Sequence, residues 1–456
     1  MKTFLTHIIL LCGVLLAISC GEDRTYEYEQ KTQHNSWIHK MMLEHYLWAD
    51  SIADYEPSWK SFFAKPADFL SELAKQSKHD DKWSYVEIDT LGEDAHKRGY
   101  FNHVESYGID FTLMTDPTGQ TTRQMLRVMT VYPGSPADRA GLLRNDFICS
   151  FNGNKFSNNN VSKLEKGVAR TLEVRHIAEN EEDYSLYWKD TVTVSLGHSE
   201  YVEDVAFPVS RIVSVNDNLV GYLMCTRLTE GPIEGHVDSH SHYQQSLDAI
   251  MAQMKAVGVN EMVLDLRLCN YGTIDMAKRL ASYVVSPDAL GTTFAQTFWN
   301  EVHSNQNKSY PYDTSVGNLG LSRIYILTGQ YTQGAAEWLI HALQHSMGEE
   351  NVILVGSETK GQNVMTSWVW HDFFVTLYPV VAYVADGAGD YEYGSIVPTI
   401  ELDESAYVEL YDYGEPDEIL LNTAIRHMLG LIGQDGSETE KIRTKRQKKR
   451  AWNRSC

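Results

Sequence analysis

Residues 262–272 read MVLDLRLCNYG, a short apolar run that passes into polar residues and ends at a glycine. A run of this length between polar neighbours is typical of a strand buried on both faces of a sheet. Segments with helical spacing of apolar residues lie on either side, at 243–257 and 274–285. Strands that alternate with amphipathic helices predict parallel strands joined by crossovers. The stretch therefore indicates an α/β layer.

The same alternation continues along the chain. We predict a further helix at 334–345 and strands at 219–224, 323–328, 352–355, 368–378 and 380–384. The α/β domain predicted from this pattern covers residues 201–430. The sequence has no glycine motif typical of nucleotide binding and no Cys/His spacing typical of zinc. Its 17 histidines are scattered, so we expect neither a cofactor nor a metal ion.

Residues 100–200 have a different, β-rich pattern, with PGSPADRAGL at 133–142, NDFICSFNG at 145–153 and YGIDF at 107–111. Together these pieces resemble a PDZ domain of the type associated with bacterial proteases. In such domains the free backbone N–H groups of a loop bind a chain-terminal carboxylate, and the peptide adds as a strand. The resemblance implies a peptide-binding loop formed by Tyr107, Gly108, Ile109, Asp110 and Phe111. The alternative is a PDZ domain that only packs against its neighbour.

Residues 34–99 are predicted to form a helical N-terminal unit. Apolar residues from Trp37 to Leu47 recur at spacings of three and four, as on one face of a helix. Pro66 then opens a second amphipathic run, in the position that proline favours at a helix start.

The order of a helical unit, a PDZ domain and an α/β body with a strand ending in Asp265-Leu266-Arg267 resembles the C-terminal processing (tail-specific) serine peptidase family. The resemblance extends over residues 35–430 and implies a crotonase-like α/β peptidase domain. The predicted fold class is thus α/β multidomain: a helical N-terminal unit, a PDZ-like β domain and a crotonase-like peptidase domain. In the family, DLRxNxGG presents backbone N–H groups to the substrate carbonyl, TxSxSE presents the nucleophilic serine, and GExTxGK supplies a lysine as general base.

The family motifs assign three positions of this chain to catalytic roles. Gly272 falls at the second glycine of the oxyanion motif, whose first glycine is replaced by Tyr271. Gly334 falls at the nucleophile position of TQGAAE, and Gln362 falls at the base position of GSETKGQ. Glycine carries no nucleophile and a glutamine amide is no base near neutral pH, which predicts a non-catalytic family member. Glu337 is predicted to be a first-turn charge favoured by the helix dipole.

Two alternatives to a missing catalytic pair remain open. A shifted dyad would use Thr332 and Lys360, each two residues before the corresponding catalytic position. If the base segment is extended, Lys360 and Gln362 point to the same face, because side chains alternate with a period of two. A register error would instead leave Ser346 or Ser357 as the nearby hydroxyls, although neither is predicted to lie at a helix start.

Composition excludes several classes of function. Hydrophobic residues make up 43% and charged residues 22% of the 456 residues, so the chain is not disordered or collagen-like. The net charge of −22 disfavours a nucleic-acid partner, because phosphate binding needs clustered Lys and Arg. Cys149 and Cys225 lie in apolar, strand-like runs and are predicted to be buried thiols, so we expect no essential disulfide.

The ends of the chain carry separate signals. Residues 1–19 combine Lys2 with an apolar run shorter than a membrane span, which is typical of a signal peptide. AISC at 17–20 resembles a bacterial lipobox, so we predict lipidation of Cys20, followed by a tether at 20–33. Residues 431–456 form a basic tail. We expect a lipid-anchored protein of the bacterial cell envelope, in the periplasm or at the outer-membrane surface.

These observations give two main functional hypotheses. In the first, the protein is a pseudopeptidase that binds polypeptide or protein C-terminal tails without efficient cleavage. In the second, it is an active serine-type endopeptidase that uses the shifted Thr332/Lys360 dyad. A third hypothesis is a subunit that regulates an active relative. The expected partners are polypeptides, and a membrane through the lipid anchor.

Overall fold

A computed structural model describes residues 25–88, 103–180, 182–203, 205–231, 241–371, 375–391, 393–407, 409–433 and 436. The predicted signal peptide, the lipidation site Cys20 and nearly all of the basic tail lie outside the described residues. Among the helices that are described, none combines the length and the apolar composition that a bilayer crossing requires. The chain divides into two compact units. The first comprises Met1–Glu93, Trp299–Asn305 and Thr366–Ala382, and the second comprises Asp94–Phe298, Gln306–Met365 and Tyr383–Cys456.

Eight α-helices lie in the described part of the chain. Their bounds are α1 Thr25–His45, α2 Ala49–Ile52, α3 Pro66–Gln76, α4 Pro136–Arg139, α5 His242–Val257, α6 Ile274–Val284, α7 Ala335–Met347 and α8 Ile419–Met428.

The described strands are numbered in chain order. The first eleven are β1 Tyr85–Ile88, β2 His103–Ser106, β3 Ile109–Thr115, β4 Gln124–Val131, β5 Phe147–Phe151, β6 Asn154–Lys155, β7 Arg170–Glu179, β8 Leu186–Leu196, β9 Glu200–Glu203, β10 Ser210–Val215 and β11 Asn218–Met224. The remaining ten are β12 Glu261–Asp265, β13 Thr293–Trp299, β14 Lys308–Pro311, β15 Ile324–Thr328, β16 Val352–Gly356, β17 Val364–Thr366, β18 Val369–His371, β19 Val375–Tyr378, β20 Val380–Ala385 and β21 Ile400–Glu401.

The first unit joins helices from the N-terminal region to strands from far along the chain. The Asn35 side-chain amide on α1 donates to the carbonyls of Phe62 (3.0 Å) and Ala64 (2.8 Å), which ties α1 to the segment before α3. Strand β1 pairs antiparallel with β19, and β19 pairs antiparallel with β18. This unit is therefore discontinuous in sequence.

Two predictions about the segments of this unit are wrong. We expected a tether at 20–33, but α1 is helical from Thr25. Glu, Gln and Lys are both well solvated and good helix formers, so composition did not separate a tether from an exposed helix. We also expected one strand at 368–378, whereas β18 and β19 run antiparallel, with Val369 opposite Leu377. The only turn-favouring residue between the two strands is Asp372, and no Gly, Pro or Asn accompanies it.

The PDZ domain lies in the second unit. Its sheet has the strand order β3-β4-β5-β7-β8, with β6 paired to β5. Alternate residues of these strands face a common apolar core that includes Leu126, Ile148 and Leu172. Helix α4 begins after Ser135, whose hydroxyl oxygen accepts a hydrogen bond from the Asp138 N–H (3.2 Å).

The α/β domain, also in the second unit, is built on the sheet β10-β11-β12-β15-β16-β21. All neighbouring pairs from β11 to β21 are parallel, and β10 is antiparallel to β11. Met262 and Leu264 of β12 face the core formed with α5, α6 and α7, and Val263 faces the core formed with α8. Burial on both faces explains the continuous apolar run of β12. The strands and helices predicted at 219–224, 243–257, 274–285, 323–328, 334–345 and 352–355 are confirmed to within two residues at each end.

Candidate active site

The oxyanion segment follows the end of β12. Gly272 forms a parallel bridge with Leu228. The Leu228 N–H donates to the Tyr271 carbonyl (2.9 Å), and the Thr273 N–H donates to the Leu228 carbonyl (2.7 Å). A Cβ atom at position 272 would lie 2.6 Å from Leu228 Cβ and 2.8 Å from Ala335 Cβ. Only glycine fits this position, even though its neighbour is Tyr271.

Gly272 therefore lies against the first residue of α7. The first N–H groups of a helix have no partner within the helix, so the Ala335 N–H is a second available donor beside Gly272. Two backbone donors at the start of a helix are what the oxyanion of acyl transfer needs.

Gly334 precedes α7 and has φ +57° and ψ −114°. Side chains rarely occupy this backbone conformation, which resembles the strained strand-to-helix turn that exposes a nucleophile in other hydrolases. A Cβ atom on Gly334 would lie 3.2 Å from Gln362 Oε1 and 3.5 Å from Gln362 Cδ. The nucleophile and base positions of the family motifs therefore face each other, and neither carries a group that can do the chemistry.

Neutral hydrogen bonds hold Gln362 in place. Its side-chain amide donates to the Val364 carbonyl (3.0 Å), and its backbone carbonyl accepts from the indole N–H of Trp338 (2.9 Å). The residue is 9% exposed. An amide with this pairing neither takes a proton nor supplies one near neutral pH.

Glu337 links the two motif segments. Its carboxylate accepts from the N–H groups of Gly334 (3.0 Å) and Gln362 (2.8 Å), and also from the Gly361 N–H and the Thr359 hydroxyl. Burial raises the pKa of Glu337, and these hydrogen bonds oppose that effect. The sequence predicted the first-turn position of Glu337, but not that it holds the base segment against the start of α7.

Thr332 has a structural role in the turn before α7. It is fully buried. Its hydroxyl donates to the Leu266 carbonyl (2.9 Å) and accepts from the Gly329 N–H (2.9 Å). The single hydroxyl proton is therefore committed to a backbone carbonyl at the end of β12.

Lys360 does not share a face with Gln362, so that prediction is wrong. Lys360 is exposed and Gln362 is buried. Gly361 between them has φ +83°, which breaks the alternation of an extended strand. The structure joins Thr332 and Lys360 through a backbone hydrogen bond, from the Lys360 N–H to the Thr332 carbonyl (3.1 Å). Among the described residues, no hydrogen bond joins their side chains.

Neither of the other two serines that the sequence suggested belongs to the first turn of α7. Ser346 is in the last turn of that helix, where its hydroxyl is 2.9 Å from the Tyr312 hydroxyl. Ser357 follows β16, and its carbonyl accepts from the Thr328 hydroxyl (2.9 Å).

Local hydrogen bonds engage part of the predicted peptide-binding loop of the PDZ domain. The Tyr107 N–H donates to the Glu165 carbonyl (3.2 Å), and the Gly108 N–H donates to the Ser106 hydroxyl oxygen (3.1 Å). Ile109, Asp110 and Phe111 belong to β3. Local hydrogen bonds therefore use the first two N–H groups of the predicted loop, and its role in peptide binding stays a prediction.

A buried charge network connects the PDZ domain to the end of β12. Arg267 pairs with Asp265 (Nε to Oδ1, 3.0 Å) and with Glu418 (2.8 Å) and Glu404 (2.7 Å). Arg144 of the PDZ domain reaches the same Glu404 oxygen at 2.7 Å. Burial raises the pKa of Glu404, but the two arginines outweigh it and lower the pKa to about 2. No local sequence pattern predicted this network, because its members lie far apart along the chain.

Sequence comparison agrees with this architecture. The family model of Peptidase family S41 matches residues 220–402, that of the Peptidase S41 N-terminal domain matches residues 33–85, and that of a PDZ domain matches residues 127–164. The chain therefore contains an S41 peptidase domain, an S41 N-terminal domain and a PDZ domain. No curated protein sequence matches the chain.

The solved structures that resemble this chain include three proteases. A protein from Bacteroides fragilis NCTC 9343 described as an S41 protease has a TM-score of 0.77 and 28% identity, over 87% of this chain and 98% of the other. The photosystem II D1 C-terminal processing protease has a TM-score of 0.47 and 17% identity, over 83% and 95%. Mature CPAF has a TM-score of 0.44 and 11% identity, over 82% and 93%.

Proposed function

We propose that this protein binds polypeptide through an S41 fold and does not cleave it by the serine/lysine mechanism. One observation carries the proposal: a Cβ on Gly334 would lie 3.2 Å from Gln362 Oε1. Positions 334 and 362 lie next to each other, as the family's nucleophile and base must, and this argues against a register error in the motif assignment. The site keeps the oxyanion glycine and the turn before α7, but the side chains at positions 334 and 362 supply neither a hydroxyl nor an amine.

The edge of the PDZ sheet is where we place the bound peptide. Strand β3 pairs with β4 and with no other described strand, so one edge offers backbone groups to an added strand. Phe111 and Leu113 on β3 are partly buried against the PDZ core, while Thr112 between them is exposed. Alternate apolar side chains of a peptide would pack on the face that carries Phe111 and Leu113.

The test of cleavage uses the purified full chain and a fluorescent, unstructured peptide with a free C-terminal carboxylate. We expect saturable binding by anisotropy and an intact peptide by mass spectrometry. The double variant Gly334→Ser/Gln362→Lys should gain cleavage, and the matched Gly334→Ala/Gln362→Lys variant, which lacks the hydroxyl, should not. Cleavage by the unmodified protein that is lost in Thr332→Ala or Lys360→Ala would overturn the proposal and favour the shifted dyad.

The test of the binding edge uses two substitutions on one strand. Leu113→Asp should weaken peptide binding at least tenfold, because it places a charge on the apolar face of the proposed groove. Thr112→Asp on the opposite face is the control and should bind normally. Equal affinity of both variants would show that the peptide does not bind along β3.

We also propose an envelope location with lipid attached at Cys20, on the lipobox-like sequence AISC. Metabolic labelling with a fatty-acid analogue should mark the protein in a bacterial host, and Cys20→Ala should abolish the label. An unlabelled protein that is cleaved within the first 20 residues would instead indicate an ordinary secretory signal.

A further inference from the structure

Two thiols lie in contact beneath the candidate active site. Cys225 and Cys269 are both fully buried, and their Sγ atoms are 3.9 Å apart. They belong to the apolar core that α5, α6 and α7 form against the sheet. In the structure both side chains are thiols and not part of a disulfide, as is the side chain of Cys149 in the PDZ domain.

One cysteine of the pair lies at the end of a sheet strand and the other lies in the oxyanion segment. Cys225 directly follows β11, and its N–H donates to the Asp265 carbonyl (2.9 Å) at the end of β12. Cys269 lies in the loop that runs from β12 to Gly272, and its carbonyl accepts from the Gln333 N–H (3.0 Å). Gln333 is the residue before Gly334. A bond between the two sulfurs would therefore fix the oxyanion loop to the sheet and stabilise the turn that carries the nucleophile position.

We propose that Cys225 and Cys269 form a disulfide when the protein folds in the presence of a disulfide oxidant. A disulfide bond is about 2.05 Å long, so the sulfurs must approach by rotation about the side-chain bonds from their van der Waals contact. In the reduced form the Cys225 thiol donates to the Arg227 carbonyl (3.2 Å), and oxidation removes this hydrogen bond. The inference does not depend on whether the protein cleaves peptides.

The reaction is two steps of thiol–disulfide exchange with a small-molecule or protein disulfide. The thiolate of one cysteine attacks a sulfur of the oxidant, which forms a mixed disulfide and releases one oxidant thiolate. The thiolate of the second cysteine then attacks the protein sulfur of the mixed disulfide and releases the second oxidant thiolate. The two protons lost from the cysteines pass to the two released thiolates. Two protein thiols are oxidised and one disulfide of the oxidant is reduced to two thiols.

Full burial determines when this bond can form. An oxidant cannot reach either sulfur in the folded protein, so exchange takes place during folding, before the core closes. The same burial protects the bond afterwards, because a reductant needs access to a sulfur. We therefore expect the thiol form and the disulfide form to be stable, separately preparable states of one chain.

The experiment refolds the full chain from denaturant with a mixture of oxidised and reduced glutathione, and in parallel with a strong dithiol reductant. In the oxidised sample we expect an intact mass lower by two hydrogen atoms, two fewer thiols titrated under denaturing conditions, and a cross-linked Cys225–Cys269 peptide in a non-reducing digest. The melting temperature should rise by roughly 5 °C relative to the reduced sample, because the bond closes a long loop.

The controls separate this pair from the other cysteines. Cys225→Ala and Cys269→Ala should each lose the cross-link and the shift in melting temperature, whereas Cys149→Ser should keep both. A digest of the glutathione-refolded protein with both thiols unmodified, or with either cysteine linked to a different one, would overturn the proposal. A cross-link that leaves the melting temperature unchanged would refute the stabilising role.

Discussion

Replacement of Gly334 tests whether the turn keeps the geometry of a nucleophile. The residue has φ +57° and ψ −114°. Any residue with a side chain in this conformation lowers the stability of the fold by about 1–3 kcal/mol. The added Cβ would lie 3.2 Å from Gln362 Oε1, so the glutamine side chain must shift. Weakening its hydrogen bond to the Val364 carbonyl adds about 1 kcal/mol. We expect Gly334→Ala and Gly334→Ser to lower the free energy of unfolding by about 2–4 kcal/mol in total.

The assay is urea unfolding, with a glycine of similar φ but open surroundings as the control. Gly258 ends α5 with φ +80° and ψ +39°, and a Cβ there would meet nothing within 4 Å. Gly258→Ala should cost about 1–2 kcal/mol, the backbone contribution alone. The loss for Gly334→Ala should exceed that for Gly258→Ala by about 1–2 kcal/mol, because of the contact with Gln362 and the less favourable ψ of Gly334.

A second comparison isolates the contact with Gln362. In the double variant Gly334→Ala/Gln362→Ala the crowding is gone, so the two losses should be less than additive, with a coupling of about 1 kcal/mol. If Gly334→Ala unfolds at the same urea concentration as the unmodified protein, the backbone at 334 is not held in the strained conformation. The reasoning that places the nucleophile position opposite the base position would then be refuted.

Three further predictions follow from the buried groups. Gly108→Ala should lower the free energy of unfolding by at least about 3 kcal/mol and unfold the PDZ domain, because a Cβ would lie 2.1 Å from Ser135 Cβ. Circular dichroism and urea unfolding would measure this loss. The pKa of Glu404 is lowered to about 2, so its ion pairs with the arginines stabilise the fold above pH ~4.3 and lose that effect as the pH falls towards 2. In the Glu404→Gln variant, the urea midpoint should therefore depend less on pH between pH 4.5 and 2. Burial lowers the pKa of His341 to about 4, so stability falls as pH drops from ~6.5 towards 4, by about 2 kcal/mol at pH 5; His341→Phe should remove this loss in urea titrations.

Each of these predictions has a result that contradicts it. A folded Gly108→Ala domain of unchanged stability would mean that the loop is not packed as described. An unaltered acid profile in Glu404→Gln would mean that the arginine pairs contribute no net stability. A His341→Phe variant with the same difference between pH 6.5 and 5 as the unmodified protein would mean that another group titrates there.

The sequence alone indicated the order of the domains and the candidate positions of the site. Strand β12 and its neighbours were predictable because burial on both faces of a parallel sheet leaves a continuous apolar run, and amphipathic helices leave a spacing of three and four. Gly272, Gly334 and Gln362 could be singled out because each stands in a short motif of which several other members are present in this chain. Such signals are local, so they can be read without knowing how the elements pack.

Only the tertiary structure decided which of these residues meet. Lys360 is exposed and Gln362 is buried, because the positive φ of Gly361 between them interrupts the alternation of an extended strand. Glu337 links the start of α7 to the segment that carries Gln362, and Cys225 contacts Cys269. Both contacts arise because elements distant in sequence pack against one sheet. Local patterns encode which face of an element is apolar, but the partner that covers the face depends on free energies summed over the whole packed core.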